Sequence, residues 1–271
     1  MKILGILNIT ADSFSDGGKY LEPEAAVAQA LALARDGADI IDIGAASSNP
    51  DAQAVPPEVE IARLAAVLPR LKGLSLSIDS FAPAVQAFAL EQGADYLNDI
   101  HGFAEPALYP ALAASDAKLI VMHSVQGQGP ATREDVPPAE IFARVVTFFD
   151  RRLGALEAAG IARHRLILDP GMGFFLGSDP ETSFTILRRL PELAAQFGLP
   201  LLVSVSRKSF LRRLIGRAAA ESGAGSLAAE LFAAAHGATY IRTHAPGALR
   251  DAFMVQAKLA PDGNAISPKS P

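Results

Sequence analysis

The sequence predicts an α/β protein built as a single (β/α)8 TIM barrel. Short aliphatic runs alternate with stretches rich in alanine and leucine along the whole chain. Eight of the aliphatic runs end in polar side chains, roughly 33 residues apart on average, which is the period of one strand and one helix in such a barrel. The chain has 271 residues, and barrels of this class typically run to about 250. Because parallel strands alternate with helices, the polar ends should meet at one mouth.

Each predicted strand is a short aliphatic run, which is typical of strands covered on both faces. The strands are predicted, in chain order, at 3–9, 39–43, 74–78, 95–97, 118–122, 165–168, 200–205 and 239–241. Long polar loops follow the first two strands, from Thr10 to Gly18 and from Gly44 to Pro57. Loops at this end of a barrel carry the active site.

The helices are predicted from alanine- and leucine-rich stretches, several of which begin near a proline and three of which end before a glycine. They lie at 23–35, 58–71, 83–91, 106–114, 139–159, from about 180 onward, and at 210–215, 225–235 and 247–258. Gly37, Gly93 and Gly160 each follow the end of a helix, as glycine does at helix C-termini. We expect one TIM-barrel domain over residues 1–260 and a flexible C-terminal tail, rich in proline and serine, at 261–271.

Composition excludes several classes of site. The chain has no cysteine, so disulfides, thiolate nucleophiles and cysteine-ligated zinc are absent. The net charge of −5 argues against a nucleic-acid partner. No signal peptide and no apolar stretch long enough to span a membrane is visible, so a cytoplasmic protein without a membrane partner is expected.

Two carboxylates stand at the ends of apolar strands. Asp79 closes Leu74-Ser-Leu-Ser-Ile, and Asp169 closes Leu166-Ile-Leu and precedes Pro-Gly. A buried carboxylate is costly unless donors satisfy it. A flat heterocycle with adjacent N–H and NH2 groups would do so, and a cap on the following helix is the alternative for each.

Other strand ends carry donors and cations. Asn98 offers both a donor and an acceptor to a ring edge, although its neighbour could instead cap a helical turn. Lys208 follows the seventh strand, where barrels often bind phosphate, and could reach a phosphate or a ring carbonyl; a basic surface turn is the alternative. Arg242 and His244 end strand eight and together suit a diphosphate.

Two further strand-end residues give weaker signals. Asn8 is the first polar side chain of strand one, and its amide oxygen could ligate Mg2+ if substrate phosphates and water completed the coordination. His123 ends strand five, where a histidine is as often a hydrogen-bonded structural residue as a functional one.

These segments together resemble dihydropteroate synthase over nearly the whole chain. The resemblance rests on seven motifs in order: Gly5-Ile-Leu-Asn-Ile-Thr-Ala-Asp-Ser-Phe-Ser-Asp-Gly-Gly18, Ser77-Ile-Asp-Ser80, Gly93-Ala-Asp-Tyr-Leu-Asn-Asp99, Met122-His123, Asp169-Pro-Gly-Met-Gly173, Ser206-Arg-Lys-Ser-Phe210 and Arg242-Thr-His244. It implies condensation of 6-hydroxymethyl-7,8-dihydropterin diphosphate with 4-aminobenzoate to 7,8-dihydropteroate and diphosphate in folate biosynthesis. It also suggests a homodimer.

The resemblance implies a role for each matching residue. The pterin would be bound by Asp79, Asn98, Met122, Asp169 and Lys208. The diphosphate would be bound by Asn8, Ser48, Arg242 and His244, with Mg2+ on Asn8. The 4-aminobenzoate would lie against Ser209, Pro50, Phe174 and Phe175. Catalysis would depend on Arg242, His244, Lys208 and Asp79.

The chain departs from the family pattern in two loops. Loop two reads Ser47-Ser-Asn-Pro50 where the family has Ser-Thr-Arg-Pro, so a substrate-contacting arginine is missing. The usual Gly-Phe-Gly-Lys after Asp-Pro-Gly is replaced by Phe174-Phe-Leu-Gly177, and the loop that carries this segment is about two residues longer than in the family pattern. Both loops look like the Sul-type, sulfonamide-insensitive branch, which implies drug resistance. A pterin-binding module without activity and a methyltetrahydrofolate-dependent methyltransferase are the alternative interpretations.

Overall fold

The computed structural model describes residues 1–10, 22–51, 53–127 and 129–260. Most of the glycine-rich loop after strand one and the whole predicted tail at 261–271 therefore lie outside the described residues. Eight parallel strands close into a barrel in sequence order, which confirms the (β/α)8 prediction. They are β1 (Lys2–Asn8), β2 (Ile40–Gly44), β3 (Leu76–Asp79), β4 (Tyr96–Asp99), β5 (Lys118–Met122), β6 (Leu166–Asp169), β7 (Leu201–Val203) and β8 (Ala238–Thr243).

Ten α-helices lie in the described part of the chain. They are α1 (Pro23–Arg35), α2 (Pro57–Val67), α3 (Pro83–Glu91), α4 (Tyr109–Ala114), α5 (Pro138–Ala158), α6 (Pro180–Arg188), α7 (Leu190–Phe197), α8 (Ser209–Ile215), α9 (Gly223–Ala235) and α10 (Pro246–Leu259). The stretch that begins near Pro180 forms two helices, because Pro191 cannot donate an N–H to the preceding turn. Helix α2 is shorter than predicted, and Pro69 lies in the 3-10 turn that follows it.

The core has two parts. Alternate strand residues pack inside the barrel, and this cluster consists of Leu4, Ile40, Tyr96, Ile120, Ile167, Leu202 and Tyr240. The larger cluster lies between the strands and the surrounding helices. Strands covered on both faces need aliphatic side chains in both directions, which explains why the strands appear in the sequence as continuous apolar runs.

Several strands extend further toward the mouth than the aliphatic runs alone predict. Asp79, Asp169 and Arg242 lie within β3, β6 and β8 rather than after them. Their backbones therefore belong to the hydrogen-bonded barrel. In contrast, β7 is only three residues long, and a short segment without regular structure separates it from the turn before Lys208. The rigid barrel itself thus positions most of the predicted polar side chains.

Candidate active site

A cavity of about 390 Å³ opens at the carboxyl ends of the strands. Ten of the thirteen predicted site residues line it: Asn8, Ser48, Pro50, Asp79, Phe174, Phe175, Lys208, Ser209, Arg242 and His244. The remaining three, Asn98, Met122 and Asp169, are not among its lining residues. They are 3, 6 and 2% exposed, respectively. The structure therefore brings ten of the predicted residues to one cavity, as the sequence predicts. The other three are buried and do not line the cavity.

Arg242 forms a buried ion-pair network that the sequence analysis missed. Its Nε donates to Asp42 Oδ2 at 2.5 Å, and its Nη2 donates to Asp79 Oδ2 at 2.6 Å. Asp42, in β2, is fully buried, and its Oδ1 has no hydrogen-bond partner among the described residues. Two carboxylates from different strands thus fix the plane of the guanidinium while it still lines the cavity.

A signal for Asp42 was present in the sequence. It is a lone carboxylate inside the aliphatic run Ile40-Ile-Asp-Ile, and a buried carboxylate needs a cationic partner. Its partner lies 200 residues away, on the strand next but one around the closed barrel. Local sequence patterns do not reveal a pairing of that separation.

The network shifts the ionisation of its members. Burial raises the pKa of Asp79 to about 7, with Asp42 and Asp99 adding to the rise and Arg242 and Lys208 opposing it. Arg242 stays protonated, because the carboxylates beside it raise its pKa despite its burial. The mouth therefore keeps a permanent cation next to a carboxyl group that titrates near neutrality.

Asp169 is held by the turn that follows it. The N–H of Gly171 donates to Asp169 Oδ1 at 2.8 Å, and burial raises the pKa of Asp169 to about 6. Gly171 has a φ of 76°, and a Cβ added there would lie 2.5 Å from the carbonyl oxygen of His123. Only glycine allows this turn, so the Asp-Pro-Gly motif has a steric basis.

Lys208 precedes the first residue of α8 and extends over an aromatic ring. Its Nζ lies 4.9 Å from the centroid of Phe175. Burial lowers the pKa of Lys208 to about 8, and the nearby Arg242 lowers it further, while Asp169 and Asp79 oppose the shift. Lys208 is therefore still mostly protonated at neutral pH, but it loses its proton at a lower pH than an ordinary lysine. It lies near Asp169 and Asp79, the two carboxylates predicted to bind the pterin.

His244 is tied to the neighbouring strand end by Ser206. Its Nδ1 lies 3.0 Å from Ser206 Oγ, and its backbone N–H donates to the same oxygen at 3.2 Å. Burial lowers the pKa of His244 well below its usual value, and the cations Arg207, Arg242 and Lys208 add to this effect. His244 is thus a neutral hydrogen-bonding group at neutral pH.

Two buried strand-end residues, Asn98 and His123, differ in whether their side-chain polar atoms have hydrogen-bond partners. Asn98 is paired in register with Asp79, and its Oδ1 has no hydrogen-bond partner among the described residues. His123 Nδ1 contacts the carbonyl oxygen of Pro170 at 3.2 Å, and its ring packs edge-on against Phe148. Asn98 can thus serve a ligand, whereas the structural interpretation fits His123.

The two phenylalanines after Gly173 occupy different positions. Phe175 is 6% exposed and packs with Ile100, Met122 and Ala131. Phe174 is half-buried, and its ring lies on the cavity wall. The aromatic surface that a ligand would meet is therefore mostly Phe174, with Phe175 supporting Lys208 and Met122.

The environment of Asn8 suits a hard cation whose other ligands are water molecules and substrate phosphate oxygens. Its partner in the β1–β2 ladder is Gly44, and a Cβ there would lie 3.6 Å from Asn8 Oδ1 and 3.9 Å from the Asp79 Cβ. The absent side chain leaves the amide oxygen open to the cavity. Within the described residues no cluster of three His, Cys, Asp or Glu could hold a metal. Mg2+ bound through one protein oxygen, waters and phosphate fits this arrangement.

Comparison with known proteins agrees with the site. A family model described as pterin binding enzyme matches residues 4–244. Dihydropteroate synthase type-2 of Escherichia coli is 59% identical over 259 residues, covering 95% of each chain. Dihydropteroate synthase type-3 of the same organism is 51% identical, covering 95% of this chain and 99% of its own.

Solved structures give the same result. The dihydropteroate synthase of Xanthomonas albilineans, solved with 4-aminobenzoic acid, superposes with a TM-score of 0.85 at 40% identity. The match covers 96% of this chain and 93% of that one. These relatives are synthases, which argues against the methyltransferase and the non-catalytic interpretations. The chain therefore belongs to the pterin-binding enzymes and, within them, to the dihydropteroate synthases.

Proposed function

We propose that this synthase joins 6-hydroxymethyl-7,8-dihydropterin diphosphate to 4-aminobenzoate in the cavity at the barrel mouth, and that it does so in the presence of sulfonamides. The observation that carries the site assignment is the convergence of Asp79, Lys208, Arg242 and His244 on one cavity. They come from three different parts of the chain. A carboxylate, two cations and a neutral imidazole together match a substrate with a donor-rich ring and an anionic leaving group.

The pterin ring is proposed to lie at the buried end of the site. Asp169 accepts hydrogen bonds from adjacent N–H and NH2 groups of the ring. Asn98 Oδ1, which has no hydrogen-bond partner within the described residues, accepts another. Lys208 donates to the ring carbonyl, and Met122 packs against the ring. A buried charged hydrogen bond is worth about 1.5–3 kcal/mol, so these groups account for selective binding.

Departure of diphosphate is the step that Arg242 and His244 assist. Arg242 is already oriented by Asp42 and Asp79, so its guanidinium needs no reorganisation as negative charge develops. When Ser206 donates to Nδ1 of His244, the Nε2–H remains to donate to a phosphate oxygen. Asp79 and Asp169 favour the positive charge that remains on the pterin methylene carbon. The amine of 4-aminobenzoate then attacks that carbon, and the released diphosphate or water takes the proton.

The metal is proposed to enter with the diphosphate. Asn8 would contribute its amide oxygen, and Ser48 in loop two lies on the same cavity wall. When bound, Mg2+ would neutralise charge on the leaving diphosphate.

The aminobenzoate is proposed to bind on the open side of the cavity. Ser209, Pro50, Phe174 and Phe175 border that side. A sulfonamide replaces the small carboxylate of 4-aminobenzoate with a bulkier substituted sulfonyl group. Phe174 would clash with that bulk and leave the compact substrate free to enter, which is how a site rejects a close analogue.

Association into a homodimer is also proposed. Exposed apolar side chains are found on the last three helices: Leu214 and Ile215 on α8, Phe232 on α9, and Met254, Val255 and Leu259 on α10. Helices α9 and α10 pack side by side. Large apolar side chains on neighbouring helices are typical of a subunit interface. Within the described residues, no helix is both long and apolar enough to cross a membrane; a cytoplasmic location stays a prediction.

Steady-state synthesis of dihydropteroate with and without sulfamethoxazole tests the function. Turnover of both substrates, with Mg2+ dependence and little loss at drug concentrations that silence a sensitive synthase, is expected. Turnover abolished by the drug at the same concentrations would refute resistance. Absence of any turnover would refute the reaction.

A further inference from the structure

A cation from an unexpected loop lies beside the proposed aminobenzoate pocket. Arg133 belongs to the connection between β5 and α5, and its side chain lines the same cavity as Ser48, Pro50 and Phe174. Loop two, where the family has an arginine, has Asn49 instead, and its Nδ2 donates to Ser47 Oγ within its own loop at 3.1 Å. The chain therefore lacks the expected cation on one loop and presents another cation from across the mouth.

Three connections meet at Arg133. The backbone N–H of Ala131 donates to the carbonyl oxygen of Ser48 at 2.9 Å, which joins its segment to loop two. The N–H of Ser178 donates to the carbonyl oxygen of Glu134 at 2.7 Å, which joins the same segment to the connection after β6. Residues on either side of Arg133 are thus anchored to different loops. The position of its backbone is fixed by main-chain hydrogen bonds rather than by chance side-chain packing.

The guanidinium already binds a carboxylate. Arg133 Nη2 donates to Asp51 Oδ2 at 2.5 Å. The two side chains are 54 and 58% exposed, and solvent screens the attraction between charges at that exposure, so such a pair is weak. An arriving carboxylate can therefore replace that of Asp51 at little cost. The Asp51 carboxylate shows where such a group can lie.

An aromatic wall stands beside that carboxylate position. The guanidinium carbon of Arg133 lies 5.6 Å from the centroid of the Phe174 ring. Arg213 contacts the same ring at 5.9 Å, but it donates to the carbonyl oxygen of Ser178 and is not among the residues that line the cavity. A ligand with a flat ring and one terminal carboxylate would stack near Phe174 and present its anion to Arg133.

We propose that Arg133 recognises the carboxylate of 4-aminobenzoate, in place of the arginine missing from loop two, and that Asp51 holds the guanidinium until the substrate arrives. This inference rests on the proposed function, because it names the residue that selects its second substrate. The amine of the substrate then points toward the strand ends, where the pterin methylene is expected. Arginine suits this role because its planar fork matches both carboxylate oxygens.

Steady-state kinetics of Arg133→Ala, with Arg213→Ala as the matched control, tests the proposal. Arg133→Ala should raise the KM for 4-aminobenzoate about tenfold, which is about 1.4 kcal/mol, and leave the KM for the pterin diphosphate nearly unchanged. Arg213→Ala removes another cation close to the same ring and should change neither KM. An unchanged KM for 4-aminobenzoate in Arg133→Ala would overturn the proposal. An increase found in Arg212→Ala instead would also overturn it, because Arg212 is a nearby cation that lines the cavity.

Two further comparisons separate charge recognition from loop structure. The wild-type enzyme should prefer 4-aminobenzoate to the neutral 4-aminobenzamide, and Arg133→Ala should lose that preference. A preference that survives in the variant contradicts a role in recognising charge.

Asp51→Asn should lower the KM for 4-aminobenzoate by about twofold, since it weakens an exposed ion pair that competes with the substrate. A higher KM would remove Asp51 from the proposal. If the wild-type enzyme forms no dihydropteroate, the proposed function fails, whereas a normal wild type with an unaffected Arg133 variant refutes this inference alone.

Discussion

The two halves of the site are built differently. On the proposed pterin side, Asp79, Asn98 and Asp169 are strand residues whose backbones belong to the barrel, and Asn98 and Asp169 are at most 3% exposed. On the aminobenzoate side, the wall comes from three connections joined by main-chain hydrogen bonds, and its ion pair between Arg133 and Asp51 is more than half exposed. Apart from Lys208, which lies on the turn before α8, the proposed pterin half belongs to the barrel strands, whereas the proposed aminobenzoate half can change through loop sequence alone.

This difference explains where the chain departs from the family pattern. The pterin motifs are intact, while Asn49 and Phe174 to Gly177 lie in the connections after β2 and β6. Discrimination against a drug that mimics 4-aminobenzoate then needs no change in the residues that bind the pterin. In the proposed mechanism, rigid strand ends carry the chemistry and loops carry the selectivity.

The largest effect is expected on the rigid side. Arg242→Ala should lower kcat by about 100-fold or more, the scale of losing one preorganised donor to a transition state. Arg242→Lys should restore only part of it, because lysine cannot bind Asp42 and Asp79 with one planar fork. Single-turnover kinetics measures the chemical step directly. Full rescue by lysine would mean that Arg242 acts only through its positive charge and not through its planar fork.

Asp169→Asn should separate binding from stability. Pterin affinity should fall by about 1–3 kcal/mol, because an amide cannot accept both ring donors. Burial raises the pKa of Asp169 from 3.8 to about 6, so the ionised side chain destabilises the fold. That penalty, about 2–3 kcal/mol, is fully present above pH 6 and disappears as the pH falls toward 3.8.

Thermal unfolding at two pH values measures the second effect. Asparagine keeps an acceptor for the N–H of Gly171, so the variant should melt higher than the wild type at pH 7.5. It should lose most of this advantage at pH 4.5. Equal melting temperatures at both pH values, or unchanged pterin affinity in the folded variant, would rule out the assigned role.

The pH dependence should follow the pterin half. The kcat/KM for the pterin diphosphate should decline below about pH 7 as Asp79 takes up a proton, and more steeply below about pH 6 as Asp169 does the same. It should decline again above about pH 8 as Lys208 loses its proton. The alkaline limb should approach about tenfold per pH unit. Lys208→Arg should move the alkaline limb upward and leave the acid limb in place; a fixed alkaline limb would assign it to another group.

Much of the fold, and the presence of polar strand-end residues at one cavity, was predictable from the sequence. The barrel places residues at known strand ends, so a polar side chain after an aliphatic run indicates the mouth, as for Asp79 and Asp169. The Arg242 to Asp42 pair was missed because it joins strands far apart in the chain, and Asp42 lies within an apolar run. Arg133 was missed because its position depends on contacts between loops, which no local pattern encodes. The prediction for the loop that starts at Thr10 falls mostly outside the described residues.

The separation of the two halves is tested most directly by shortening the loop at 174–177 by two residues. The inhibition constant for sulfamethoxazole and the equilibrium affinity for the pterin diphosphate should be measured on the same protein, with Phe174→Ala as a second variant that keeps the loop length. We expect the inhibition constant to fall at least about tenfold, or about 1.4 kcal/mol, with a much smaller change in the KM for 4-aminobenzoate and an unchanged pterin affinity. An active shortened enzyme that stays equally insensitive to the drug, or one whose pterin affinity falls in parallel, would contradict the division between strands and loops.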